Sequence, residues 1–313
     1  MELGDRIGRR LKLQDLHILM AVVRAGSMSK AASLLNTGQP AISRAIRELE
    51  RTLGVSLLER GPRGVEPTAY GHAVLNGGAA VFDELRQTVK NVEFLANPEI
   101  GEVRIGCDLS QAATFVTAVV DRFSRRYPRM LVHVVTPERD ALRDLRERNV
   151  DFVITRRFGS ITDEQLNFEV LFDGSYVVAA GAHNAWARRR RIVLAELAKE
   201  PWTLPPPETP AGAAVLEAFR ASEIDCPCAT VFIAPALVRI NLLATGRFLT
   251  ICPSSILRFP IQRSEIRALP VELPVPPVSI GIVSLKNRTL SPVAQLFIEA
   301  AREVAKPLAK RKG

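Results

Sequence analysis

Two stripes run along the segment Gln39–Leu53. Ile42, Ile46, Leu49 and Leu53 recur at helical spacing and form an apolar face. Pro40, Arg44, Arg47 and Arg51 recur at the same spacing on roughly the opposite face, with Ser43 beside them. The pattern predicts a helix packed by one side and cationic on the other. A second short helical pattern precedes it in Gly26-Ser27-Met28-Ser29-Lys30-Ala31-Ala32, and Asn36-Thr37-Gly38 joins the two. Leu13, Leu16, Leu19, Met20, Val22 and Val23 predict an amphipathic helix before the pair. The turn-rich stretch Leu57–Thr68, with Gly61-Pro62-Arg63-Gly64 at its centre, reads as a short hairpin or wing.

An arginine stripe alone is more often a solvated surface than a binding face. Its setting changes the reading. Three helices and a wing within 68 residues make a winged helix-turn-helix, whose last helix fits a DNA major groove. Residues Gln39, Pro40 and Ser43 near that helix's start are expected to meet base edges. Arg44 and Arg47 are expected at bases or phosphates, and Lys30 and Arg63 at the backbone.

Beyond Thr68 a long helix is expected to about Ala96, stopped by Asn97-Pro98. Tyr70, Val74, Gly77, Val81, Leu85, Thr88, Val92 and Leu95 form a near-heptad seam, as in helices that pair between chains. The other reading is a helix packed on its own domain. Gly77 and Gly78 weaken the helix by about 1 kcal/mol each, or admit a close partner. From Gly101 strands and helices alternate, which predicts a parallel α/β sheet. Strands are expected at Val103–Gly106, Leu131–Val135 and Asp151–Ile154, and helices at Ala112–Tyr127 and Asp140–Arg148. A strand over Leu171–Ala179 is expected to cross to a second lobe. That lobe is built from Leu194–Lys199, Ala213–Ala221, Val231–Ile233, Pro235–Leu243 and Leu249–Ile251. A strand at Val278–Leu285 and a helix at Pro292–Val304 return to the first lobe, and Pro201–Pro210 and Pro274–Pro277 read as loops.

Open α/β sheets bind ligands at the carboxyl ends of their strands. Ser110 after the first strand, Thr136 after the second and Arg156 after the third are the candidates. An arginine there suits a carboxylate or phosphate, so an anionic small molecule is expected.

Composition refines this picture. The 313 residues carry 42 Lys and Arg against 33 Asp and Glu, a net charge of +9 that suits a polyanionic partner. Residues 1–66 hold only eleven cations and seven acids. The rest of the surplus lies further on, in Arg188–Arg191 and in a tail with Lys306, Lys310, Arg311 and Lys312. Such runs are usually solvated faces or tails. Cys107, Cys226, Cys228 and Cys252 are too few and too unevenly spaced for a disulfide framework, and read as buried or incidental thiols. His17, His72, His133 and His183 lack metal-ligand spacing. No phosphate loop, nucleophile elbow or catalytic constellation is visible, so neither an enzyme nor a cofactor is expected. A secretory signal and a run of roughly 20 apolar residues are both missing, so no membrane association is expected and the cytoplasm is the expected compartment.

Taken in order, Leu-x-x-Leu, Gly26-Ser27, Ala31-Ala32, Gln39-Pro40-Ala41-Ile42-Ser43, Leu49-Glu50, Leu53-Gly54-Val55, Glu59-Arg60 and Thr68 resemble the N-terminal domain of LysR-type transcriptional regulators. The motif-level match spans residues 11–75, and the layout of nearly the whole chain agrees. Gly38 stands where the family has a capping Ser or Thr, which implies a slightly weaker helix start. Leu19, Met28 and Leu58 replace Phe, and Pro67-Thr68 replaces Leu-Thr.

The resemblance implies an N-terminal winged helix-turn-helix (all-α with a small β wing) in 1–68 and a dimerising linker helix in 69–98. It implies a two-lobed α/β effector domain, like periplasmic binding proteins, in 99–313. Lobe I is then 99–168 with 272–313, and lobe II 169–271. It adds Thr245 as a cleft residue, and a homodimer or homotetramer on double-stranded DNA. The alternative is a small-molecule-binding α/β protein or enzyme whose N-terminal helices only dimerise.

Overall fold

A computed structural model describes residues 11–61, 64–136, 141–157, 163–227, 230–258 and 265–309. The chain divides into two compact units, Met1–Val89 and Lys90–Gly313.

In the first unit, α1 (Leu13–Ala25), α2 (Met28–Leu34) and α3 (Gln39–Leu53) precede a hairpin of β1 (Leu58–Gly61) and β2 (Gly64–Pro67). Leu19, Val22, Ala31, Ala32, Ile42, Ile46, Leu49 and Leu57 form one core, so the apolar stripe of α3 packs inward. Ser27 caps α2 by accepting from Lys30 N at 3.1 Å. Gly54, at φ 76°, takes the left-handed turn that ends α3. The Glu50 carboxylate accepts from Leu57 N at 2.8 Å and so ties α3 to the hairpin. Thr68 opens α4 (Ala69–Ala96), its Oγ1 accepting from Gly71 N at 3.0 Å. Gly71 lies so near the hairpin that a Cβ there would collide with the Leu57 carbonyl. Gly78 faces Leu16 and Met20 of α1, whereas Gly77 faces open space, so only Gly77 remains for the close approach expected of the pair.

The second unit holds two five-stranded sheets. In the first, β3 (Gly101–Cys107) lies between β4 (Met130–Val135) and β5 (Phe152–Arg157), all parallel. Farther on, β12 (Val278–Leu285) joins β5 to β6 (Leu166–Gly174), antiparallel to both. Phe115, Phe123, Phe152 and Phe297 centre its core, the last from α10 (Pro292–Ala309). The second sheet has the order β11-β7-β10-β8-β9. These strands are β7 (Tyr176–Gly181), β8 (Trp202–Leu204), β9 (Thr230–Phe232), β10 (Leu249–Pro253) and β11 (Ile266–Ala268). Trp202 stacks edge-on against Phe219 of α8 (Pro210–Ala221) in its core. This is the two-lobed α/β architecture expected from the sequence.

Several elements differ. The strand expected over Leu171–Ala179 is two strands, β6 and β7, broken at Ser175. There the chain changes sheets, Ser175 O accepting from Ser254 N at 2.8 Å. The helix expected from Ala112 starts earlier, as α5 (Leu109–Gln111), then a π turn (Ala112–Val116) and α6 (Thr117–Arg126). Asp108 caps it. The Pro-rich stretch read as a loop holds β8, whose three residues are all buried. The helix expected at Asp140–Arg148 is α7 (Ala141–Arg146).

Candidate nucleic-acid interface and ligand cleft

Burial sorts α3 into the two expected faces. Ile42, Ile46 and Leu49 are buried, while Gln39, Pro40, Arg44 and Arg47 are exposed and Ser43 is half-buried. Arg47 Nε donates to Ser43 O at 3.2 Å, which lays its side chain back along the helix. Arg51 is tied to Glu48 at 2.6 Å, a hydrogen bond that raises its pKa above the ordinary arginine value. Arg44 and Arg47 form no ion pair among the described residues, so their charge is open to a partner's phosphates. Lys30 is exposed on α2. Arg63 lies outside the described residues.

The parallel register puts the carboxyl ends of β3, β4 and β5 at one end of the first sheet. Ser110, Thr136 and Arg156 all lie there. Asp108 Oδ1 accepts from Ser110 N and Gln111 N, each at 3.0 Å, and from the Ser110 hydroxyl. Asp108, not Ser110, is therefore the helix cap. Arg156 Nη2 stands 3.8 Å from Asp108 Oδ1 with its side chain 16% exposed. Thr136 is exposed just past the edge strand β4.

The second lobe adds residues that the spacing of motifs did not single out. Tyr176, at the start of β7, is buried, with its hydroxyl beside the Arg156 guanidinium. Burial pushes that phenol's pKa up, while the nearby Arg156 and Arg239 guanidiniums pull it back. Arg239 belongs to α9 (Ala236–Ala244). It is buried, with Nη1 donating to Ile233 O and to Ala234 O, the latter at 3.0 Å. Burial lowers its pKa, and the repulsion of Arg156 adds to that. Beneath them the buried Cys252 thiol is pushed up to about 12, chiefly by burial, which keeps it protonated at neutral pH. Cys107 is likewise pushed up to about 12. The one sequence signal for this cluster was a lone arginine in the apolar run Ala236-Leu237-Val238-Arg239-Ile240-Asn241-Leu242-Leu243.

Thr245 is not part of this constellation. Tyr176 pairs with Pro253 at the end of β10, whereas Thr245 precedes Leu249 at its beginning, opposite Ala180. The strand separates the two by about 3.3 Å per residue. Thr245 is exposed and its hydroxyl donates to Leu242 O at 2.7 Å, closing α9.

Among the described residues no group of His, Cys, Asp and Glu could hold a metal ion. Among the same residues no helix is long and apolar enough to cross a membrane.

Comparison with known proteins fits this geometry. Residues 13–72 match the family model for the bacterial regulatory helix-turn-helix protein of the lysR family, and residues 96–306 match the LysR substrate binding domain. The transcriptional regulator TdcA of Escherichia coli K12 is 25% identical over 294 residues, covering 93% of each chain. The regulator GbpR of Azospirillum brasilense is 27% identical over 304 residues, covering 94% of this chain and 86% of its own. Among solved structures, ArgP from Mycobacterium tuberculosis superposes with a TM-score of 0.69 at 21% identity, covering 96% of this chain and 99% of its own. Full-length CbnR complexed with its target DNA gives 0.53 at 23% identity, covering 94% and 100%. The chain belongs to the LysR family, and is a DNA-binding transcriptional regulator with an effector-binding domain.

Proposed function

We propose that the effector is an anionic small molecule held between the two lobes of the second unit, with Arg156 as its charge partner. The observation that carries this reading is Arg156 itself. It sits at a strand end and is only 16% exposed, with Asp108 3.8 Å away. Arg239 adds positive charge beside it, and the buried Tyr176 hydroxyl lies next to both guanidiniums. Ser110 and Thr136 stand at the neighbouring strand ends and would orient the ligand.

In the same reading α3 enters the major groove. Gln39, Pro40 and Ser43 contact base edges, Arg44 and Arg47 contact bases or phosphates, and Lys30 and Arg63 hold the backbone. The division at 1–68, 69–98 and 99–313 follows from these roles. Pairing of two chains through α4 is supported by its seam, where Tyr70, Val81, Leu85, Val92 and Leu95 are all exposed in the single chain. A dimer, or a tetramer of two such dimers, would present paired heads to a two-fold symmetric site.

A thermal-shift panel of carboxylates, phosphates and neutral analogues on the full-length chain tests the effector. Anions should stabilise wild type and lose that effect on Arg156→Gln. Stabilisation by uncharged compounds alone, or equal stabilisation of the variant, would overturn the anionic assignment.

A further inference from the structure

The run Arg188–Arg191 reads in sequence as a solvated face, but the fold does not leave it alone. Strand β7 ends at Gly181, and β8, β10 and β11 begin at that same end of the second sheet. The loops there carry Arg188, Arg189, Arg190, Arg191, Lys199 and Arg247, and β11 adds Arg267, which pairs with Ala180. All seven are exposed. This is the end remote from Tyr176 and Arg156, so it is distinct from the effector cleft.

The scaffold under these charges is fixed. Asn184 Nδ2 donates to Gly246 O at 2.8 Å, locking the loop after β7 to the turn before β10. Asn184 Oδ1 caps the short turn that carries Trp186, accepting from the Trp186 backbone N–H at 2.9 Å. The Arg189 guanidinium lies 5.6 Å from the Trp186 ring centroid, and that of Arg247 lies 5.3 Å from Phe248. Stacked guanidiniums keep their donor edges directed outward. Acids are present at this end, but they are engaged or apart. Glu196 accepts from Val193 N at 2.8 Å, and among the described residues neither Glu200 nor Glu265 forms an ion pair with these arginines.

We infer that this end of the second lobe is a second contact surface for DNA, gripping the sugar-phosphate backbone without reading sequence. Charge complementarity selects the partner. Six arginines, none of them in an ion pair among the described residues, spread over two locked loops and a strand edge. They match a repeating row of phosphates better than one small anion. A duplex is already the partner of a chain in this family. The contribution is electrostatic, so it scales with the number of phosphates neutralised and weakens with salt.

The test uses the full-length chain and a non-operator duplex several helical turns long, with affinity measured by fluorescence anisotropy across a salt series. A variant carrying Arg188→Ala, Arg189→Ala, Arg190→Ala and Arg191→Ala should bind at least tenfold more weakly at low salt. Its slope of log affinity against log salt should be shallower by roughly 0.9 for each phosphate that is no longer neutralised. Lysine at the same four positions should restore most of the slope, which separates charge from folding. An unchanged slope and affinity in the alanine variant would overturn the proposal. So would unchanged DNA binding with loss of transcription activation in a reconstituted polymerase assay, which would assign the surface to an acidic protein partner.

Discussion

The start of α3 lacks a side-chain cap, and Gly38→Ser should strengthen it. Gly38 is the N-cap at φ −83°, ψ 143°, with no side chain to receive the free amides of the first turn. Pro40 lacks an N–H, so Ala41 N is the one amide that a cap could satisfy there. Thr209 before α8 shows the completed arrangement. Its φ of −86° and ψ of 150° are nearly the same, a proline follows, and its Oγ1 accepts from Gly212 N at 3.0 Å. A serine Cβ at 38 would meet only Pro40 Cδ, in ordinary contact at 3.6 Å. The cap itself is worth a few tenths of a kcal/mol over glycine. The restriction of the unfolded chain adds about 0.4–1 kcal/mol. Ala41 N already leans on Gly38 O at 3.0 Å, which keeps the gain near the lower end. The sum is about 1 kcal/mol, or about 4–8 °C for a domain of this size. Calorimetry of the head's unfolding transition reads it. Gly38→Ala is the control, because alanine gains the same chain restriction but caps worse than glycine, and should leave stability near wild type. Equal stabilisation by Ser and Ala would refute a capping role for the serine hydroxyl. No gain from Ser, together with a loss of about 1 kcal/mol in Thr37→Ala, would move the cap to Thr37.

Three further outcomes follow from the packing. Gly71→Ala drives a methyl into the Leu57 carbonyl, and should cost about 1–3 kcal/mol or more in urea unfolding, so an unchanged midpoint would mean that α4 does not sit where it is described. Arg288→Ala removes the guanidinium that bonds to Val150 O, Asp151 O and, at 3.3 Å, Asp151 Oδ1. With both side chains 3% exposed, the loss should reach about 3–5 kcal/mol, and a loss under half that would show the charge is not held there. Burial alone would raise the pKa of Glu102, but Lys90 at 3.3 Å, Arg104 and His133 outweigh it and hold the carboxyl below the ordinary glutamate value. A lowered folded pKa means stability that is present above the unfolded pKa and lost as pH falls through the folded one. Glu102→Gln should therefore flatten the acid limb of stability, and an identical limb in both proteins would contradict the cluster.

The head was legible because its signals are local. Helical period, a glycine stop and a hairpin turn each lie within a few residues, and α3 occupies the expected Gln39–Leu53. The effector unit was legible as alternating strands and helices, because β4, β5 and β12 are short and rich in Val, Ile, Leu and Phe, and β3 alternates apolar with polar residues. What escaped depends on contacts distant in sequence. Nothing near Ser175 announces the change of sheets, which is set by pairing with Ser254. Strand β8 hides among prolines, since three residues flanked by turns carry no period. Tyr176 and Arg239 come beside Arg156 only once the two lobes are assembled. Thr245 shows the converse: a turn before a strand carries no local sign of which end of β10 it shares with Tyr176, and it lies at the other end.

The proposed function depends on α3 reading DNA, and one binding measurement addresses that directly. A duplex is selected from random sequence by the full-length chain, and its affinity is then compared for wild type and Arg44→Ala at fixed salt against scrambled competitor. The variant should lose about 1–3 kcal/mol on the selected duplex and little on the competitor, so that specificity at one position relaxes. Equal affinity for the selected duplex, with specificity intact, would show that α3 does not read DNA through this face.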